Sequence, residues 1–217
     1  MTQKSLHSLC AWTFHAGSGG FTPANMRPQW AANKLDTVGK IRLIREKIMP
    51  RLPDHVVIGL EAHYDYEYNE SSSSQIASAL KDCGIALAMI TPGAQRYFAY
   101  GGICSLDPVE QKKAAEYGLR ALDLAYGPLR VAWHDEAPPT FVIWNGSFGY
   151  DLASPAIREM YNNLKKNVAA LCEEEKKKGG KLFFAIEPKP NEGHPAMLLP
   201  TVASAILFWR RLAEEYG

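Results

Sequence analysis

Two short stretches carry the side chains best suited to chemistry: Glu187 with Lys189, and His63 with Asp65 and Glu67. Glu187-Pro188-Lys189-Pro190-Asn191-Glu192 follows an apolar run, Phe183-Phe184-Ala185-Ile186, which thus ends in a carboxylate, an ammonium and an amide. Proline fixes φ and has no amide hydrogen, so Pro188 and Pro190 forbid helix, end strand pairing and stiffen the backbone. In extended chain a two-residue spacing sends the Glu187 and Lys189 side chains off the same face. Opposite charges held on one face of stiff backbone suit a binding or catalytic site. The same residues also fit a surface loop with one solvated ion pair. His63 ends a second apolar run, and imidazole is the side chain that changes charge near neutral pH. A lone histidine in that position also fits a structural hydrogen-bonding role.

The remaining composition narrows the partners. Of 217 residues, 47% are hydrophobic and 22% charged, the balance of an ordinary globular chain that can bury a core. A formal net charge of +1 gives no clustered basic surface for nucleic acid or anionic lipid. No apolar run is long enough to span a membrane, so no membrane partner is expected. Met1-Thr2-Gln3-Lys4-Ser5 leads into no apolar signal segment, and a cytoplasmic setting is expected. Cys10, Cys83, Cys104 and Cys172 lack CxxC spacing or a matching histidine pair, and read as buried thiols. A small molecule or another protein is the partner to expect.

The elements that must position these residues alternate along the chain. Five apolar runs, Leu9–Phe14, Val56–Ala62, Ile85–Ile90, Phe141–Trp144 and Lys181–Ile186, lack the polar alternation of a half-exposed strand. Helical spacing separates them. Leu35, Val38, Ile41, Ile44 and Ile48 predict a helix from about Lys34 to Met49, stopped by Pro50 and Pro53. Gln75 to Cys83 is a short amphipathic helix closed by Gly84, and Ser71 to Ser74 form the loop that leads into it. Asp107 caps a third helix with Pro108 in its first turn, running to Tyr126. Ser154-Pro155 opens a fourth, striped by Ile157, Tyr161, Leu164, Val168 and Leu171, and Val202, Ile206, Trp209 and Leu212 stripe a fifth. Repeated βα units with buried parallel strands follow, in a single domain over 1–217. Because no GxGxxG follows the first strand, a (β/α)8 barrel fits better than a dinucleotide fold. Only five units fit. A whole barrel takes eight strands and about 250 residues.

The run Phe184-Ala185-Ile186-Glu187-Pro188-Lys189-Pro190-Asn191-Glu192, with Leu198-Leu199-Pro200-Thr201-Val202 after it, closely resembles the xylose isomerase family. Trp12, His63, and Phe141-Val142-Ile143-Trp144 with Gly146 resemble that family's first, second and fourth strand ends, in the same order. The resemblance implies a metal-dependent aldose–ketose isomerase on a (β/α)8 barrel, cytoplasmic and homotetrameric. Its substrate would be an aldose sugar, with D-xylose going to D-xylulose and glucose to fructose. Two divalent cations, Mg²⁺, Mn²⁺ or Co²⁺, would assist a hydride shift. Glu187 would be a ligand of the first metal, and Lys189 would bind the substrate's O1 and steady the charge developing there. His63 would be the ring-opening base, with an acidic partner fixing its tautomer. In the family that partner is an aspartate three residues on, where this chain has Tyr66; Asp65 or Glu67 must substitute, and Asp65 is preferred. Trp12 and Trp144 would be indole walls that shield the transferred hydrogen from water, although apolar core filling is their alternative. Thr91 lies near a substrate-contacting position. Phe21 would match the aromatic residue that the family inserts into a neighbouring subunit's site, whereas His194 reads as a loop residue.

Beyond its fifth strand the family supplies a bridging glutamate, a histidine and several aspartate ligands, for which this sequence has no counterparts. This chain alone is therefore expected to bind metal weakly. The favoured reading is a C-terminally truncated xylose isomerase; the alternatives are a non-catalytic half-barrel assembly module completed by a partner chain, and a related sugar epimerase.

Overall fold

Strand β2 (Val56–His63) shows how the sequence sorts its side chains. Ile58, Leu60 and Ala62, spaced by two, are almost wholly buried, whereas Val57, Glu61 and His63 on the other face are half-buried. The two faces thus differ, which the unbroken apolar run Val56–Ala62 does not suggest. The computed structural model describes residues 4–14, 35–65, 67–92, 98, 100–144, 155–188 and 198–217. Five parallel strands form one sheet in chain order, β1-β2-β3-β4-β5. A sheet that adds each strand beside its predecessor has no switch point, which sets it apart from doubly wound folds and agrees with a barrel-type βα succession.

The chain divides into two compact units, 1–90 with 123–140, and 91–122 with 141–217. In the first, β1 (Ser5–Cys10) pairs with β2 from Ser5 opposite Val56 to Cys10 opposite Glu61. This corrects the strand inferred at Leu9–Phe14. The paired strand starts four residues earlier, through exposed His7 and Ser8 whose polarity hides it, and Ala11–Phe14 is a 3₁₀ turn. β3 (Ala86–Thr91) approaches β2 closely enough that a Cβ on Gly59 would lie 2.5 Å from the Ala88 methyl carbon. Only glycine allows that separation.

Helix α1 (Thr37–Leu43) is shorter than the periodicity predicts. Asp36 caps it, its carboxylate accepting the Gly39 N–H at 2.7 Å. Pro50 shortens its far end: proline cannot donate to the carbonyl four residues back, and the chain widens into a π turn over Ile44–Ile48 with the Met49 N–H on the Ile44 carbonyl. Helix α2 (Ser73–Cys83) starts within the serine run and ends at Gly84, whose φ of 66° lies in the left-handed region expected there.

In the second unit, Asp107 caps α3 (Pro108–Tyr126), accepting the Val109 N–H at 2.9 Å. α3 meets α4 (Pro155–Lys178) at Gly118, where a Cβ would lie 2.8 Å from Leu171 Cδ2. Asn163 and Asn167 of α4 donate to the Ser105 and Ile103 carbonyls at 3.0 and 2.6 Å, tying down the turn before α3. Glu175, buried in the last turns of α4, accepts the Leu182 N–H at 2.8 Å and so sets the entry to β5 (Phe183–Ile186). β4 (Thr140–Ile143) and β5 stack Phe141 on Phe184 at 4.8 Å between ring centres. α5 (Val202–Tyr216) opens with a reciprocal cap between Thr201 and Ser204 and packs Phe208 edge-on against Tyr161 of α4.

The four cysteines are free thiols, and only Cys104 is buried; Cys10, Cys83 and Cys172 are half-buried. Burial pushes the Cys104 thiol well above the usual cysteine value and Cys172 up to about 11, so both remain protonated, apolar-like groups at neutral pH. Among the described residues, no helix is long and apolar enough to cross a membrane.

Candidate functional site

The polar cluster of the first unit is built where β2 ends. His63 is the last residue of the strand, and the chain turns straight back on it: the Glu67 and Tyr68 N–H groups donate to the His63 carbonyl at 3.0 and 3.3 Å. That turn brings the Glu67 carboxylate over its own strand end. Glu67 Oε2 accepts the His63 N–H at 2.8 Å and lies 2.8 Å from His63 Nδ1. The partner of His63 is therefore Glu67, not Asp65. Asp65 sits in the turn itself, its carbonyl accepting from the Asn69 amide at 3.2 Å. A strand-like alternation, which would put residues 63, 65 and 67 on one face, does not continue past His63.

Helix α1 closes the cluster from the other side. Thr37 and Lys40 lie one turn apart, on the face that also buries Ile41 and Ile44. The Thr37 hydroxyl donates to the Glu67 carbonyl at 2.5 Å, and Lys40 Nζ lies 3.6 Å from Glu67 Oε1. Lys40 is 1% exposed and Glu67 3%. Burial alone would push the Glu67 carboxyl up, but the hydrogen bonds and charge of His63, with the charge of Lys40, hold it below the usual glutamate value. Burial lowers the Lys40 ammonium below its usual value, against the opposing pull of Glu67 and Asp36. Glu67 is thus an ionised carboxylate at neutral pH.

An ionised acceptor at Nδ1 fixes the imidazole. Nδ1 must carry a hydrogen to bond to Oε2, so the neutral ring has its lone pair on Nε2. The Trp12 ring lies over the imidazole with 4.3 Å between centres and a 56° tilt. Below the cluster, Tyr64 donates to Glu70 at 2.8 Å, and the Tyr68 hydroxyl, wholly buried and without a hydrogen-bond partner among the described residues, is pushed well above the usual phenol value. On the same face of β2 as His63, Glu61 accepts from the Ser8 hydroxyl and, at 3.0 Å, from the Cys10 thiol.

In the second unit, Trp144 and Glu187 follow the adjacent strands β4 and β5. The Glu187 N–H donates to the Ile143 carbonyl at 3.0 Å, so both residues stand at the same end of that strand pair. Both are half-buried. The Trp144 indole nitrogen is buried without a hydrogen-bond partner among the described residues. Thr91, 5% exposed, ends β3. Lys189, Phe21 and His194 lie outside the described residues.

The structure therefore joins Trp12 to His63 in one unit, and places Trp144 and Glu187 at the same end of β4 and β5 in the other. The spacing arguments did not select Lys40, Thr37 or Glu61. Lys40 had a visible signal, since a lysine three residues after Thr37 and four before Ile44 falls inside the buried stripe of its helix. For Glu61 the signal was its two-residue offset from His63 in a strand. Among the described residues, no three His, Cys, Asp or Glu side chains stand together so as to hold a metal ion. Glu187 by itself does not fit a hard cation that takes about six oxygens.

No protein-family model matches the chain. Among solved structures it is similar to a xylose isomerase domain protein from Planctomyces limnophilus, with 11% sequence identity and a TM-score of 0.48. The match covers 81% of this chain and 55% of that one, so this chain spans little more than half the length of that protein. A likeness at that level carries no argument about activity.

Proposed function

We propose that the chain carries the ring-opening part of an aldose–ketose isomerase site, acting on a cyclic aldose such as D-xylose. The observation that carries this reading is the Glu67–His63 pair at a strand end, with Trp12 over the imidazole. Opening a pyranose requires a base for the anomeric hydroxyl. His63 Nε2 takes the O1 proton, the O1–C1 bond becomes a carbonyl, and the C1–O5 bond breaks as the proton passes from the imidazolium to O5. Glu67 steadies the imidazolium formed midway and returns the ring to the same tautomer. Trp12 gives the C–H face of a sugar ring an apolar surface and keeps water from the base.

The hydride-shift half of such a reaction would fall to Glu187, Lys189, Thr91 and Trp144, with Lys189 at O1. Two divalent cations belong to that half in the family that the sequence resembles. The described residues do not fit them, and no step here runs through a metal.

The test is anomer exchange, followed by NMR on α-D-xylose, glucose and other aldoses with chelator present. The reading predicts that the protein speeds exchange of at least one aldose above the buffer rate, by an amount that Glu67→Gln reduces. Exchange at the buffer rate for every aldose would remove the proposal. A second reading, an assembly module completed by another chain, draws on Val202, Ile206 and Leu207 of α5, each at least half exposed. It predicts association in sedimentation that Ile206→Glu abolishes.

A further inference from the structure

Lys40 stands out among the groups that the ring-opening chemistry does not use directly. It is almost wholly buried, it comes from a helix rather than a strand end, and its ammonium faces the oxygen of Glu67 that His63 does not occupy. Its placement is over-determined. Asp36 caps the helix, the Asp36 carbonyl accepts the Lys40 N–H at 3.0 Å, and Thr37 one turn back holds the Glu67 main chain.

We propose that Lys40 is the positioning residue of this site: by binding Glu67 Oε1 as a cation, it keeps Oε2 a pure acceptor toward His63 and so fixes the imidazole as its Nδ1–H tautomer. The alternative is concrete. A buried glutamate without a cation favours its neutral acid, because a charge in low dielectric is costly. A neutral acid can donate to Nδ1, and the ring proton then moves to Nε2. In that tautomer the outer nitrogen is a donor, with no lone pair for the O1 proton. Lys40 therefore selects which nitrogen is the base, through Glu67 and without touching the sugar. Of the charged groups facing the pair, Asp36 attracts the Lys40 ammonium, and His63 shares the other side of the carboxylate.

The inference rests on the reading of His63 as a base, but its test uses no sugar. ¹⁵N NMR of the imidazole, recorded on the alkaline plateau of its own chemical shifts so that the ring is neutral, reports the tautomer directly. Wild type should show a protonated Nδ1 and an unprotonated Nε2. Lys40→Met should change the ratio of the two forms by at least about tenfold, the size expected from removing a buried cation 3.6 Å from the carboxylate. Lys40→Gln, which keeps a donor without the charge, should lie between them and serves where the methionine variant does not fold; Lys40→Arg should restore the wild-type ratio. A wild-type ring protonated on Nε2, or a folded Lys40→Met or Lys40→Gln protein with the wild-type ratio, overturns the proposal. Anomer exchange on the same variants separates the two claims: a shifted tautomer in a protein that never speeds exchange defeats the ring-opening reading and leaves the role of Lys40 standing.

Discussion

Lys165–Glu215 and Lys40–Glu67 are lysine–glutamate pairs that look alike by residue type and differ in almost everything else. Lys165 of α4 meets Glu215 of α5 at 2.5 Å, with the glutamate side chain 43% exposed. Lys40 and Glu67 stand 3.6 Å apart, and their side chains are 1% and 0% exposed. Distance alone ranks the first pair as the stronger. Burial reverses that order, because water screens a half-exposed pair to about 1 kcal/mol or less, while a buried charge that loses its partner has no solvent to fall back on. The Lys165–Glu215 contact stitches two helices together at their surface. The Lys40–Glu67 contact sets the state of a third group, His63.

Deleting each lysine separates the two pairs. Lys40→Met should lower unfolding free energy by about 3–5 kcal/mol and Lys165→Met by about 1 kcal/mol or less, measured by urea denaturation. Equal losses would mean that burial does not separate the two pairs. Two glycines offer a similar contrast in packing. Gly59→Ala should cost about 1–3 kcal/mol, near the top of that range, because the Ala88 methyl carbon cannot swing away. Gly118→Ala should cost less, since the atom it meets is the end of a leucine side chain. A larger loss at Gly118 would point to helix backbones that cannot shift.

Acid sharpens the picture further. Glu67 has a folded-state value below that of the unfolded chain, so its contribution to stability is present at neutral pH and is lost as the pH falls through and below the ordinary glutamate range. Glu67→Gln should therefore flatten the acid limb of stability against pH. An unchanged limb would place the acid-sensitive carboxylates elsewhere. The smallest effect is expected at Trp144. Its indole nitrogen is buried without a hydrogen-bond partner among the described residues, so Trp144→Phe removes no bond and should change stability by less than about 1 kcal/mol. A larger loss would show that the indole ring itself fills the core.

Much of the fold was legible because its signals are local. Proline within α3 next to the Asp107 cap, glycine after α2 and the stripe on α4 each depend on neighbouring residues, and the structure agrees with them. β1 was shifted because a polar strand segment such as His7-Ser8 carries no apolar signature, and only its pairing with β2 defines it. In the site, His63 was legible as a strand-end imidazole. Its partner was not, since the choice between Asp65 and Glu67 depends on a turn that folds the fourth residue back on the first. The position of Lys40 inside the buried stripe is visible in the sequence, but its role is not, because its carboxylate partner is supplied by a distant turn.

His63, held by Glu67 beneath Trp12, is proposed as the base that opens a sugar ring. Anomer exchange of α-D-xylose, followed by NMR with wild type and His63→Gln under the same chelated conditions, tests it most directly. The account predicts that the wild type speeds exchange and that the variant, folded as judged by circular dichroism, loses a factor of about 10²–10⁴. A folded His63→Gln protein that exchanges the anomers as fast as wild type would contradict it.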